Sequence, residues 1–208
     1  MIAAFLGLRL YSVLGQRAEH EEEHAPSRFD GPQTKSGGAP RLAPAPVAVP
    51  KRALPGIAPA VETGVRDIAA ADRSFDILRF LDGAKGAYEM VLEAFWSGDR
   101  ETLRELCDDD VYTSFDTAIA AREEAGQTLD NKLIRIEDAL IHSAMLDGRV
   151  ARVAVRFVAD IATVVRDKDG NLIAGSLDDA AESRDIWTFS RDLNAAGPDW
   201  ILDETDEG

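Results

Sequence analysis

Cysteine and histidine are scarce in this chain of 208 residues. The single cysteine, Cys107, excludes a disulfide framework and any zinc or iron–sulfur site built from several cysteines. Of the three histidines, His20 and His24 lie in a polar segment far from His142, so the three cannot form one zinc site. No GxGxxG, GxxxxGK[ST], HExxH or GxSxG motif occurs. We therefore assign no catalytic, cofactor or metal-binding residue and expect a protein that is not an enzyme.

Basic residues are also few, and their distribution is uneven. Residues 61–208 carry sixteen Lys and Arg against thirty-three Asp and Glu, a net charge of −17, whereas residues 1–60 carry +2. A domain this acidic repels phosphate backbones, so we expect no nucleic-acid partner. A local patch formed by Arg149, Arg152, Arg156 and Arg166 would be the exception.

The N-terminal residues 1–14 form an apolar run that is too short, as written, for the about 20 residues of a bilayer span. Neither the basic start nor the cleavage site of a signal peptide is present. We expect residues 1–15 to be a membrane-anchor helix, either interfacial or a span whose first residues are missing; a buried helix of the domain is the alternative. By the positive-inside tendency, Arg9 and Arg17 at the head groups place the rest of the chain in the cytoplasm. The side chains expected in the membrane are Ile2, Phe5, Leu6, Leu8, Leu10, Tyr11, Val13 and Leu14.

Residues 16–70 have the composition of a linker. Eight of the nine prolines lie between Pro26 and Pro59, together with several glycines. Such a sequence favours extended, polyproline-like chain without internal hydrogen bonds, so we predict a disordered spacer. A docking peptide for a partner is the alternative.

Past residue 70 the apolar residues recur with helical spacing. They predict a helix over residues 75–95 that Gly98 ends, a short helix through residue 106 capped by Asp99, and a third helix over residues 110–124 that Gly126 ends. From residue 133 onward the period falls to two. It predicts strands near residues 133–145, 151–161, 172–175 and 185–191, and a last strand that contains Trp200 and Leu202. Helices followed by such strands indicate an α+β domain over residues 71–208, with the helices on one face of a curved four-stranded antiparallel sheet.

A few polar side chains are candidates for chemistry within this domain. In a strand, His142 would lie on the same face as Ile136, Asp138 and Leu140. We therefore expect His142 to point inward, with Asp138 nearby. Tyr112 and Asp116 lie one helical turn apart. The acidic residues 108–110 fit a helix N-terminus and would raise the pKa of Cys107, which argues against a nucleophile. The expected lining of a pocket between helices and sheet is Tyr88, Phe157, Trp187, Phe189 and His142; the aromatic members could equally be core.

Three stretches resemble a known family: FLDGAKGAYEMVLEAFWSGDRETLRELCDDDVYTSFDTAIAAREEAG, RDIWTFSRDL and the closing DWIL. They are similar to the C-terminal domain of the mitochondrial inner membrane translocase subunit 44 family, and most similar to its bacterial, TimA-like members. The resemblance covers roughly residues 72–205 and the first fifteen residues. It implies a nuclear-transport-factor-2-like cone, in which helices and a curved sheet enclose an apolar cavity.

The resemblance also implies a function. We expect a membrane-anchored adaptor or scaffold in protein translocation or membrane protein biogenesis, at the bacterial inner membrane with its domain on the cytoplasmic face. Its partner would be a translocon or chaperone component, although the chain lacks the long basic N-terminal region of the mitochondrial relative. Two alternatives stay open: a cone that binds a lipid or another small apolar ligand in its cavity, and an isomerase-like enzyme.

Overall fold

Four helices precede five strands in the computed structural model, which describes residues 59–197 and 199–208. The predicted anchor helix and most of the predicted linker lie outside these residues. The helices are α1 (Pro59–Ala71), α2 (Ile77–Ser97), α3 (Arg100–Leu106) and α4 (Asp109–Glu124). The strands are β1 (Thr128–Leu129), β2 (Lys132–Asp147), β3 (Val150–Arg166), β4 (Leu172–Asp192) and β5 (Ile201–Glu207).

Aspartates cap α2, α3 and α4, as predicted for Asp99 and for the acidic residues 108–110. The Asp76 carboxylate accepts hydrogen bonds from the backbone N–H groups of Leu78 and Arg79 at the start of α2, and Asp99 and Asp108 cap α3 and α4. These carboxylates satisfy N–H groups that have no partner within the helix. Gly98 adopts the left-handed conformation at φ 77° and ends α2, which confirms its predicted role.

The strands form one antiparallel sheet in which β3 is central. It pairs with β1 and β2 along one edge and with β4 along the other, and β5 pairs with β4. The predicted α+β class with an antiparallel sheet is confirmed for the described residues, but the sheet has five strands rather than four.

The two short strands predicted near residues 172–175 and 185–191 are one continuous strand, β4. Its pairing with β3 jumps from Ala162–Ala180 to Thr163–Ser176, so an irregularity absorbs the turn-like residues between them. Gly175 lies beside this irregularity at φ 85°, and a Cβ there would lie 1.8 Å from the Thr163 carbonyl oxygen. Residues 177–179 therefore form a bulge within one strand, and residues 180–184 pair with β3.

Helix α1 corrects the predicted linker boundary at residue 70. Its Val61, Val65 and Ile68 are buried at helical spacing against the hydrophobic core, and α1 packs on β2. The prolines obscured this pattern, although Pro59 is the first helical residue, where a missing N–H costs nothing. The domain therefore begins at or before residue 59 rather than at residue 71.

Candidate functional site

An apolar groove of about 510 Å³ lies beside the first half of α2. Its other walls are the end of α3, the end of β4 and the residues directly before β5, which contribute Leu106, Phe189 and Trp200. The segment that joins α1 to α2 closes one end through Ser74 and Phe75. Four elements thus meet around a single concave surface.

The base of the groove is aromatic. The Phe80 and Trp200 ring centroids are 4.7 Å apart, and Phe80 meets Phe189 edge to face at 6.0 Å. The Phe75 and Trp200 ring centroids are 5.8 Å apart. Phe80 and Phe189 are buried, whereas Phe75 and Trp200 are only partly buried. Partly covered rings offer apolar area that a ligand can still bury.

Small residues leave the α2 wall of the groove open. Gly83, Ala84 and Ala87 line it, and a Cβ built at Gly83 meets no atom within 4 Å. Glycine in the interior of a helix costs about 1 kcal/mol relative to alanine, so propensity does not account for Gly83. Met90, which is 47% exposed, lines the groove farther along α2.

An ion pair borders the groove at the end of β4. The Arg191 guanidinium donates to Asp72 at 2.8 Å, and both side chains are largely buried, at 13% and 14% exposure. Hydrogen bonding from Ser74, assisted by Arg191, lowers the pKa of Asp72 from its ordinary value. The Nε atom of Arg191 is buried and has no hydrogen-bond acceptor among the described residues. The pair fixes the end of α1 against the groove.

Of the predicted pocket-lining aromatics, Phe189 alone lines the groove. Tyr88, Phe157 and Trp187 are fully buried and fill the space between α2 and the sheet, where Tyr88 lies 4.4 Å from Phe157 and 4.6 Å from Trp187 between ring centroids. These three side chains form core rather than the lining of the groove.

A buried carboxylate, Asp185, escaped the sequence analysis. The Tyr88 hydroxyl donates to Asp185 at 2.8 Å, and Ser183 donates to the same oxygen at 2.7 Å. Asp185 is 4% exposed and follows the alternation of the inward-facing Trp187 and Phe189. That strand parity was the signal that could have revealed it. Tyr88 and Asp185 do not line the groove.

The prediction that His142 points inward is wrong. His142 is exposed and sits at one of three places where the β2–β3 register shifts. Each bulge reverses the alternation of side chains, so a parity count along β2 fails. Its proposed partner Asp138 lies 3.7 Å from Arg156 instead.

The Tyr112 and Asp116 pair is also engaged elsewhere. The Arg104 guanidinium stacks 3.9 Å from the centroid of the Tyr112 ring. Asp116 accepts a hydrogen bond from Arg100 at 2.6 Å. Both side chains thus stabilise the α3–α4 packing through charged partners.

The motif residues that carry the family resemblance meet at the junction of α2, α3 and α4. Arg100 binds Glu123 through two hydrogen bonds of 3.0 and 2.9 Å. Arg122 donates to the Phe95 carbonyl near the end of α2 at 3.1 Å. These contacts orient helices and satisfy a helix C-terminus, so the motif is structural.

Burial makes Cys107 unreactive. Its thiol lies in the core, and burial together with the Asp108 carboxylate raises its pKa to about 12. The direction agrees with the sequence prediction. A thiol that stays protonated at neutral pH is a poor nucleophile.

The arginines proposed as a basic patch have polar neighbours. Arg152 pairs with Asp203 at 2.9 Å, and Arg156 lies near Asp138. Arg166 lies 3.8 Å from Asp130, and Arg149 donates to the Asn194 side chain. Within the part of the chain that the structure describes, no cluster of three or more His, Cys, Asp and Glu is arranged to hold a metal ion. None of the helices in the same residues is long and apolar enough to cross a membrane.

These features define an α+β domain with a helical layer on an antiparallel sheet and an aromatic groove at one end. The model of the Tim44-like domain matches residues 61–207. The chain belongs to the Tim44-like domain family, as its motifs predicted.

Several curated proteins are similar to the chain at low identity. The mitochondrial import inner membrane translocase subunit TIM44-1 of Arabidopsis thaliana is 26% identical over 113 residues, which cover 54% of this chain and 24% of that protein. The human subunit TIM44 is 26% identical over 135 residues, which cover 64% of this chain and 29% of that protein. An uncharacterized protein of Rickettsia prowazekii is 26% identical over 143 residues, which cover 69% of this chain and 58% of that protein. The chain thus spans less than two thirds of the length of each of these relatives.

Among solved structures, the intermembrane space region of the chloroplast protein ARC6 is similar to the chain with a TM-score of 0.46 at 12% identity. The match covers 61% of this chain and 95% of that one.

Proposed function

We propose that the protein is a membrane-anchored, non-enzymatic adaptor that binds a protein partner in protein translocation or membrane protein biogenesis. The aromatic groove beside α2 is the observation that carries the proposal. Relatives named as subunits of inner membrane import translocases support the process.

The chemistry of the groove supports binding rather than catalysis. Aromatic and aliphatic side chains form its base, and the Asp72–Arg191 pair at its border is internally neutralised. The Tyr88–Asp185 hydrogen bond resembles a catalytic pair more than any other contact of the described residues. Both side chains are buried, however, with 0% of Tyr88 and 4% of Asp185 exposed. A general acid or base must reach its substrate, so this pair is structural.

The partner that we propose for the groove is an amphipathic helix of a translocon or chaperone component. The groove follows α2 from Asp76 to Met90, a length of about 21 Å at 1.5 Å per residue. A partner helix of about four turns has the same length, and its apolar anchors would cover the half-buried Trp200 and Met90.

The N-terminal residues supply the proposed anchor. The apolar run over residues 1–14 with Arg9 and Arg17 supports attachment to the bacterial inner membrane, with the domain on the cytoplasmic face. Deleting residues 1–14 should release the protein from membranes. Deletion protein that still sediments with membranes at high salt would contradict the anchor.

A second candidate occupant is a lipid or another small apolar ligand, which the four aromatic rings of the groove favour. Native mass spectrometry of the protein after extraction from membranes distinguishes the two. A stoichiometric lipid adduct would support the ligand, whereas a bound protein supports the adaptor.

The test of the proposal compares two glycine substitutions in one helix. Gly83 lines the groove and Gly86 does not, and a Cβ at either position meets no atom within 4 Å. Gly83→Glu places a charge in the groove without an overlap at its Cβ, and Gly86→Glu is its matched control. We expect crosslinked translocon or chaperone components to be lost with the first variant and retained with the second. Equal capture by both variants would refute the groove as the binding surface.

A further inference from the structure

The proline-rich segment before α1 has the chemistry that an aromatic groove selects. Residues 44–50 read PAPVAVP. Segments in the polyproline II conformation bind aromatic-lined grooves at low entropic cost because they are already extended. We propose that residues 44–50 of the same chain occupy the groove beside α2 whenever the partner is absent.

The lengths of segment and groove agree. Seven residues in polyproline II conformation span about 22 Å at 3.1 Å per residue. The groove extends about 21 Å along α2 from Asp76 to Met90. In this conformation residues three apart share a face, so Pro44, Val47 and Pro50 would face the aromatic base together.

The position of α1 brings the segment to the groove. The Asp72–Arg191 pair holds the residue after α1 at the groove border, and the thirteen residues of α1 place Pro59 about 20 Å away. The eight residues 51–58 extend to about 25 Å, which suffices to return along α1. Because the connection is covalent and short, the effective concentration of the segment is in the millimolar range.

Polar groups at the groove complement an extended backbone. Arg79 and Arg191 line it. Backbone carbonyls of a polyproline II chain are free to accept hydrogen bonds. Lys51 and Arg52 directly follow the segment, whereas the domain over residues 61–208 carries −17. Attraction between these charges favours the docked state.

The inference concerns the regulation of the groove that the proposed function assigns to a partner. A docked segment covers Trp200 and Met90, so the partner must displace it before binding. The groove would then be hidden in the unbound protein, which limits nonspecific association of its apolar surface.

The experiment observes Trp200 without any partner and so is independent of the adaptor proposal. Full-length protein in phosphatidylcholine nanodiscs carries three tryptophans, of which Trp96 and Trp187 are buried and Trp200 lies at the groove. Replacing Pro44, Pro46 and Pro50 with serine should shift the indole N–H resonance of Trp200 and increase its quenching by acrylamide at least twofold. The resonances of Trp96 and Trp187 should stay in place, which reports an intact fold.

The matched control replaces three prolines outside the proposed segment, Pro26, Pro32 and Pro40, with serine. We expect this variant to reproduce the parent Trp200 resonance. Identical Trp200 signals in all three proteins would overturn the inference. A Trp200 resonance that shifts when the nanodisc lipid is changed, but not when the prolines are replaced, would also overturn the inference. That result would indicate a lipid in the groove.

Discussion

Replacing Gly64 with alanine should destabilise the domain, because α1 lies unusually close to β2. A Cβ at Gly64 would lie 1.8 Å from the carbonyl oxygen of Ala144. Ordinary contact begins near 3.4 Å, so the helix must retreat by about 1.6 Å. The neighbouring Val65 and Ile68, which are 5% and 0% exposed, would then lose part of their packing.

The expected size follows from two opposing effects. Overpacking of this kind typically costs about 1–3 kcal/mol. Alanine in place of glycine within a helix stabilises the helix by about 1 kcal/mol. We therefore expect a net loss of about 0–2 kcal/mol in the free energy of unfolding, measured by urea denaturation of the domain over residues 59–208.

Gly86→Ala in α2 is the matched control, since a Cβ there meets no atom within 4 Å. It gains the same helix propensity without an overlap and should stabilise the domain by up to about 1 kcal/mol. A Gly64→Ala variant as stable as Gly86→Ala would refute the conclusion that α1 belongs to the domain. Removal of residues 59–71 should likewise yield a poorly folded product.

Other predictions concern the buried polar groups. Tyr88→Phe removes the hydroxyl that donates to buried Asp185 and should cost about 1–3 kcal/mol of unfolding free energy in urea titrations; an unchanged midpoint would contradict it. Cys107 should react with a thiol reagent at pH 8 at least tenfold more slowly in the folded than in the urea-unfolded protein, because burial raises its pKa to about 12; equal rates would contradict the burial. The folded pKa of Asp72 lies below its ordinary value of 3.8, so its stabilising effect is present above about pH 4 and is lost as the pH falls. Asp72→Asn should therefore flatten the acid limb of the stability curve measured by circular dichroism, and an unaltered limb would exclude this contribution.

Local signals in the sequence predicted α2, α3 and α4 and their ends. Asp99 and Gly98 act at α3 and α2 through their own backbone neighbours, so short-range rules suffice for them. Helix α1 was missed because its apolar spacing directly follows a proline-rich segment and was assigned to the same linker. Its stability comes from contact with β2, which no local pattern reveals.

Long-range register explains the errors at the candidate site. The bulges in β2 change the side of the sheet on which His142 lies. Counting alternate residues along the sequence cannot detect a bulge. The groove forms where α2, α3, β4 and β5 converge, so Phe80, Phe189 and Trp200 become neighbours only after folding. Sequence spacing could not separate the aromatic residues of the core, such as Tyr88 and Trp187, from those at the groove.

The measurement that tests the adaptor account most directly is quantitative mass spectrometry of crosslinked partners of the full-length protein in its own membranes. The parent protein and its Gly83→Glu and Gly86→Glu variants are compared at equal abundance. The account predicts a translocon or chaperone component captured by the parent and by Gly86→Glu, and reduced at least tenfold with Gly83→Glu. Capture of such a component to the same extent by all three proteins, or recovery of the parent with no such component, would contradict it.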